Sequence, residues 1–588
     1  MSAELFFLPY PRVIRYLDGY VAYRALSNIA VSMVEKGTIR SEGYNLLIDH
    51  NGAHISAADQ AGVFYARRTL RQIEKQLPVD GTCPRLEIED YPEFKCRGFM
   101  LDVSRDRIPR LNDLLQYIDL LASWKINHLE LYMEHVFAYK EHEDVWHEAS
   151  PFTGEEIRKI DAFCKERFIE LVPLQNSLGH MSRWLCHNRY RTLAECPQGI
   201  HSSWSMNNDD PFSLCPTDSA SLEFINSLLA ELLPNFSSPF FMACCDETFD
   251  IGQGRSRDAC KKHGKGRVYL DYITKLNEMV NRHDRRMLIA ADILNSYPQF
   301  FNELPSNISV IDWGYGINYP FEGHGRDFKA AGIPFYFMVS CSNYSSVAGR
   351  TYRWQGNIRN AAFAAMRTGA EGLINTEWGD FGHWHTWTLS QPGIAYGAAM
   401  SWAPKENEKI KLGPVLDEFL FGKVRGVGEL IMDLGGVYRH VAGTDDTCAL
   451  FMQFYLNNRK KMESPLDNFS FDGLSDVRND LDQLAVRLKQ LPLIDNHVLE
   501  EIQQSMRFAR FAVRCAEEWL RDDRAECLRD LAYETQQQLA KEFNPIIISA
   551  LKIRDRIYRP GGRNAALWWM KHFWTNVCGR IPFPDYTR

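Results

Sequence analysis

Eight short apolar runs, each followed by a polar or aromatic end, occupy the middle of the chain and limit what it can fold into. They fall at 96–104, 126–133, 168–174, 239–245, 286–292, 308–313, 334–340 and 371–376. Several are too apolar for a half-solvated antiparallel strand; they read as strands buried on both faces. Between most of them apolar residues recur three and four apart, clearly over 111–124 and 269–283 and less strictly over 357–368, where Gly369 then stands as a helix stop. The fifth-to-sixth connection is short and carries a weak helical signal. Eight strand–helix units suit an α/β protein built on a (β/α)8 TIM barrel. A doubly wound open sheet normally has fewer strands, and no glycine-rich phosphate loop follows the first run.

A chain of 588 residues exceeds one ordinary domain. Residues 1–92 read as a small N-terminal α+β domain, with a strand over 44–50 and a helix over 61–76. The barrel takes 93–403. Over 404–588 strand signals fade, and 481–488, 496–521 and 527–557 read as helices of a mostly α-helical C-terminal domain. Pro560-Gly561-Gly562 breaks that pattern before Trp568, Trp569, Phe573 and Trp574, a cluster that suits packing better than sugar contact.

The formal charge of −8 disfavours a nucleic-acid or anionic-membrane partner. No apolar run approaches bilayer length. The start, MSAELFFLPYPRVIRYLDGY, lacks a basic segment followed by a long apolar core, so a cytoplasmic protein is expected. The 14 cysteines follow no regular spacing and read as reduced, largely buried thiols. No C-x-x-C pair exists, Cys260-x-x-His263 stands alone, and His383 and His385 suit shaping a pocket better than binding a metal, so no metal is expected.

In a barrel of this kind the active site gathers at the C-terminal ends of the strands. After the successive runs come Arg105; Glu134 and His135; Gln175, Asn176 and His180; Asp246 and Glu247; Asp292; Asp312 and Trp313; Tyr344; and Trp378 and Asp380. Polar strand ends are common, and an adjacent Asp-Glu can be a solvated loop or a helix cap. Acids, histidines, an arginine and three aromatics converging on one rim form a candidate site.

The segment Arg97-Gly-Phe-Met-Leu-Asp-Val-Ser-Arg105 resembles the signature of glycoside hydrolase family 20, the β-hexosaminidases. So does Trp124-Lys-Ile-Asn127, while Gly62-Val-Phe-Tyr-Ala66 and Thr69-Leu-Arg-Gln72 resemble the small domain that precedes the barrel in that family. The likeness runs over roughly 40–400. It implies an exo-acting, retaining β-N-acetylhexosaminidase without cofactor, acting on N-acetylhexosamine-terminated glycans. By the same likeness Glu247 is the general acid/base and Asp246 orients the acetamide, which attacks the anomeric carbon to give an oxazolinium. Tyr344 would hold the acetamide carbonyl, Trp313 and Trp378 wall the pocket, and Arg105, Glu134, His180 and Asp380 contact the sugar. This chain has Cys244 and Cys245 near the family's glycines, Asp380 in place of Glu, and no tryptophan near Ala291–Asp292. A non-catalytic carbohydrate-binding barrel is the alternative. GlcNAc against GalNAc, the natural linkage and a homo-oligomeric state stay open.

Overall fold

The structure, a computed structural model, describes residues 5–35, 37–78, 81–200, 210–441 and 470–586. Near the N-terminus β1 (Val13–Ala22), β2 (Ile29–Met33), β3 (Tyr44–Asp49), β4 (Gly52–Ala57) and β5 (Thr82–Asp90) form one sheet in the order β1-β5-β3-β4-β2. The helix Gln60–Gln76 packs on β3 and β4, and the Asp59 carboxylate caps it by accepting the Gly62 N–H at 2.8 Å. Sequence pattern reveals only β3 and this helix. β2 is exposed along its whole length and β1 along most of it, so neither carries the alternation of a strand with one buried face.

The eight apolar runs are the eight strands of a parallel sheet. β6 (Cys96–Asp102), β7 (His128–Tyr132), β8 (Glu170–Val172), β9 (Phe240–Met242), β10 (Arg286–Ala290), β11 (Ser309–Trp313), β12 (Phe335–Ser340) and β13 (Gly372–Glu377) lie in the order β8-β7-β6-β13-β12-β11-β10-β9. The two end strands meet: the Met242 N–H donates to Pro173 O at 2.9 Å, and the Gln175 N–H to Met242 O at 3.2 Å. The sheet is therefore a closed barrel. Met100, Leu174, Met242, Leu288, Ile311, Met338 and Ile374 fill its interior.

Amphipathic helices cover the barrel, among them Leu111–Ser123, Gly154–Lys165, Ser219–Leu232, Lys265–Asn281, Phe321–Ala330 and Thr351–Thr368. Gly369, at φ 83°, ends the last of these as expected. Between β10 and β11 a short turn, Asp292–Asn295, and a 3-10 segment, Pro298–Glu303, replace a full helix.

The C-terminal region contains Phe471–Gln490, Asn496–Arg521, Tyr533–Ile557 and Arg563–Cys578. The helix expected from residue 527 begins only at Tyr533, because the Asp530 carboxylate accepts the Cys527 N–H at 3.0 Å and closes a separate 3-10 turn over Leu528–Asp530. These helices share one continuous apolar core with the barrel. Trp384 lies 4.7 Å from Phe573, and Phe381 lies 5.5 Å from Trp569. The link into the last helix needs glycine: Gly562 has φ 74°, and a Cβ there would stand 2.5 Å from Asp106 O. The aromatic residues at 568–574 are thus largely packing groups, with Trp569 also reaching a cavity at the rim.

Candidate active site

At the end of β9 the backbone leaves the strand through the left-handed region, with φ 56° at Cys244, 65° at Cys245 and 52° at Glu247. Side chains of successive strand residues point to opposite faces. The left-handed turn cancels that alternation, so Asp246 and Glu247 both reach one imidazole. His180 Nε2 lies 3.6 Å from Asp246 Oδ2 and 3.1 Å from Glu247 Oε2. Left-handed backbone costs an L-residue about 1–2 kcal/mol. Surrounding bonds hold it: Tyr269 Oη donates to Cys245 O at 3.1 Å, Ala290 N–H to Cys244 O at 2.9 Å, and Glu247 N–H to Asp292 Oδ2 at 2.9 Å.

Burial disfavours a charged His180, but Asp246 and then Glu247 outweigh it and push the ring's pKa up to about 10. Burial likewise opposes ionisation of Asp246, and the His180 charge overcomes it, leaving that carboxyl below its ordinary value. Asp292 gains no such cation. Burial first, and the Asp246 charge second, raise its pKa to about 7. One imidazolium thus sits against two acids, with a third, protonatable acid holding the backbone between them.

These groups border a cavity of about 230 Å³ together with Arg105, Trp313, Tyr315, Tyr344, Trp378 and Asp380. Arg105 is held by Asp102 Oδ2 at 3.1 Å and Glu134 Oε1 at 3.3 Å, and its guanidinium covers the Tyr132 ring at 4.5 Å and the Trp378 ring at 5.3 Å. Trp378 Nε1 donates to Tyr315 Oη at 2.8 Å. Two buried polar atoms of the wall, Asp246 Oδ1 and Trp313 Nε1, have no hydrogen-bond partner among the described residues.

The family model described as glycosyl hydrolase family 20, catalytic domain, matches residues 94–324, and that of the same family's domain 2 matches residues 13–91. The chain belongs to glycoside hydrolase family 20. A β-hexosaminidase of Porphyromonas gingivalis is 26% identical over 310 residues, 47% of this chain and 38% of that protein. A β-N-acetylhexosaminidase of Cellulomonas fimi is 34% identical over 125 residues, 21% of this chain and 24% of that one. The chain spans less than half the length of the curated relatives it matches: 38%, 45% and 29% for three of them. The chitobiase of Flavobacterium johnsoniae is 16% identical with a TM-score of 0.58, covering 93% of this chain and 99% of that one. That likeness is one of fold.

Against the family 20 pattern, eight of the nine residues singled out from sequence border the inner cavity: Arg105, His180, Asp246, Glu247, Trp313, Tyr344, Trp378 and Asp380. Glu134 stands behind it, bracing Arg105 and accepting from Tyr132 Oη at 3.1 Å. Cys244 and Cys245 take, at a strained φ, backbone angles that glycine adopts freely. Asp312 faces away from Trp313 and accepts from Tyr319 Oη and Asn295 Nδ2, both at 2.9 Å. Asp102 and Tyr315 are site residues that sequence reasoning missed; Asp102 lies within the first marked run, and Tyr315 stands two residues past the end of the sixth. His383 and His385 border neither the inner cavity nor its neighbour. Both rings meet Glu377 Oε1 below the rim. Burial opposes ionisation of Glu377, but His383 and His385 hold its carboxyl below the usual range. Among the described residues, Glu377 with these two histidines, and His180 with Asp246 and Glu247, have donor atoms close enough to share a metal. In both sets the donors are already engaged with one another.

Proposed function

We propose that the protein hydrolyses β-linked N-acetylhexosaminides with retention, using the substrate's own acetamide as nucleophile. The observation that carries this reading is the adjacent pair Asp246 and Glu247 at the border of a cavity of about 230 Å³ walled by Trp313, Tyr344 and Trp378. An acetamide offers one N–H for the Asp246 carboxylate and one carbonyl oxygen for the Tyr344 hydroxyl, and both residues border that cavity. Retaining enzymes that use a protein nucleophile place two carboxylates about 5 Å apart on either side of the bond. Here the acids are neighbours in sequence gripping one histidine, which leaves the attack to the ligand.

In this reading Glu247 gives its proton to the glycosidic oxygen while the acetamide oxygen bonds to the anomeric carbon and the leaving alcohol departs. Asp246 stays ionised and stabilises the positive oxazolinium. Glu247, now a carboxylate, takes a proton from water, whose oxygen bonds to the anomeric carbon as the oxazolinium C–O bond opens. Two inversions give net retention. Arg105 and Asp380 meet the outer hydroxyls, and Trp313 and Trp378 wall the ring.

The test compares aryl β-GlcNAc, aryl β-GalNAc and the corresponding plain hexosides, with a thiazoline as inhibitor. Cleavage of one or both N-acetyl substrates, no cleavage of the plain hexosides and inhibition by the thiazoline are expected. Equal rates on plain hexosides, or an active enzyme indifferent to the thiazoline, overturn acetamide participation. Sugar binding without any cleavage would instead make this a binding barrel.

A further inference from the structure

We infer that the acetamide end of the inner cavity is a pocket for a longer, unbranched, neutral N-acyl chain, so that β-linked N-propionyl- and N-butyrylhexosaminides are substrates beside the N-acetyl ones. This rests on the reading of the inner cavity given above and extends it. In that reading the amide N–H meets Asp246, after β9, and the carbonyl oxygen meets Tyr344, after β12. The strands run in the order β12-β11-β10-β9, so the acyl carbon chain faces the arc of wall that β10 and β11 make between those two.

That arc is hollow below the rim. Inward positions on a strand recur every two residues. On β11 they are Ile311 and Trp313, and on β10 they are Leu288 and Ala290. Ala290 stands level with Ile311, and its N–H donates to Cys244 O at 2.9 Å, so a lone methyl group separates two larger side chains. Ala290, Cys244, Ile311 and Met338 all border the cavity. Ala290 and Cys244 keep 2% of their surface exposed and Met338 keeps 3%. They lie inside a closed barrel, so the surface they keep opens on the cavity. Ile311 is two residues before Trp313, about 6–7 Å deeper along the strand. An acetyl group ends among the side chains that hold it, Trp313 and Tyr344. The cavity goes on for a further layer of the barrel.

The chemistry of that layer selects its occupant. Its side chains offer carbon and sulfur alone, and each apolar CH₂ buried against them gains on the order of fourfold in affinity. A chain ending in a carboxylate would carry an unpaired charge into an apolar wall beside Asp246. The recess is one side chain wide, which suits an unbranched chain. Met338 is unbranched and turns about three bonds, so the wall adapts to chains of different length. Carbons beyond the carbonyl take no part in ring closure, and the same oxygen attacks the anomeric carbon.

The experiment compares aryl β-hexosaminides carrying N-acetyl, N-propionyl and N-butyryl groups. A pocket closed round acetyl would lose on the order of tenfold or more for each added methylene. Here kcat/KM on the N-butyryl substrate should stay within about tenfold of that on N-acetyl. A larger fall, with the N-acetyl substrate cleaved, overturns the longer pocket and leaves the proposed function standing. Ala290→Val fills the recess and should lower the butyryl-to-acetyl ratio of kcat/KM about tenfold. An unchanged ratio in the folded variant also overturns the inference; if the variant does not fold, the wild-type ratio decides alone. If none of the glycosides is cleaved, the function fails, and calorimetry then judges the pocket. N-butyrylglucosamine binding at least as tightly as GlcNAc supports it; weaker binding, or none, refutes it.

Discussion

Replacing His180 by asparagine probes the centre of the site with little backbone cost, since residue 180 has φ 56° and asparagine tolerates that region well. The shorter amide cannot bridge Asp246 and Glu247. A rise in the ring's pKa from 6.5 to about 10 corresponds to on the order of 5 kcal/mol favouring the charged ring. Breaking a buried pair by deleting one partner costs about 3–5 kcal/mol, in agreement. Because the folded pKa is the higher one, this stabilisation is fully present below pH 6.5 and disappears as pH climbs towards 10. Urea unfolding of wild type and His180→Asn at pH 6 and pH 10 should therefore show a gap of about 3–5 kcal/mol that mostly closes at the higher pH. The same change removes the charge that keeps Asp246 ionised, so the acidic limb of the kcat profile should move up by about one to three pH units. A stability gap independent of pH, or an unmoved acidic limb, would refute the imidazolium.

Glu247→Gln should lower kcat/KM about 10²–10⁴-fold on substrates with poor leaving groups and much less on activated aryl glycosides, which leave without a proton; equal losses would remove Glu247 as the leaving-group acid. Asp246→Asn should reduce kcat about 10²–10³-fold with GlcNAc affinity kept within a few-fold; an unchanged rate would show that another group meets the acetamide. Asp292, with a native pKa of about 7 against 3.8, holds its proton more tightly folded than unfolded, so it costs stability as pH rises from 4 through 7. Asp292→Asn should thus gain on the order of 2–4 kcal/mol relative to wild type between pH 4 and pH 8, read by urea unfolding; parallel stability curves would show that Asp292 is ionised throughout.

The barrel was legible because its strands are buried on both faces, which makes each one an apolar run, and because the rim residues follow directly. β1 and β2, exposed for most of their length, leave no such trace. Asp292 stood at a marked strand end, yet its role, accepting the N–H of a residue 45 positions earlier, has no sequence signal. Nor does the left-handed turn at Cys244 and Cys245, where composition alone suggests an ordinary buried strand end. The cavity at the rim joins His135 to Ala565 across most of the chain, a juxtaposition that only tertiary packing creates.

The common core of barrel and C-terminal helices has a practical consequence. The loop carrying Asp380 runs straight into Phe381 and Trp384, whose rings lie against Trp569 and Phe573. A fragment ending near residue 403 would leave those rings facing water and the loop without backing. The barrel therefore does not lift out as a free-standing cassette, and any graft of this rim onto another scaffold must carry the last helix along with it.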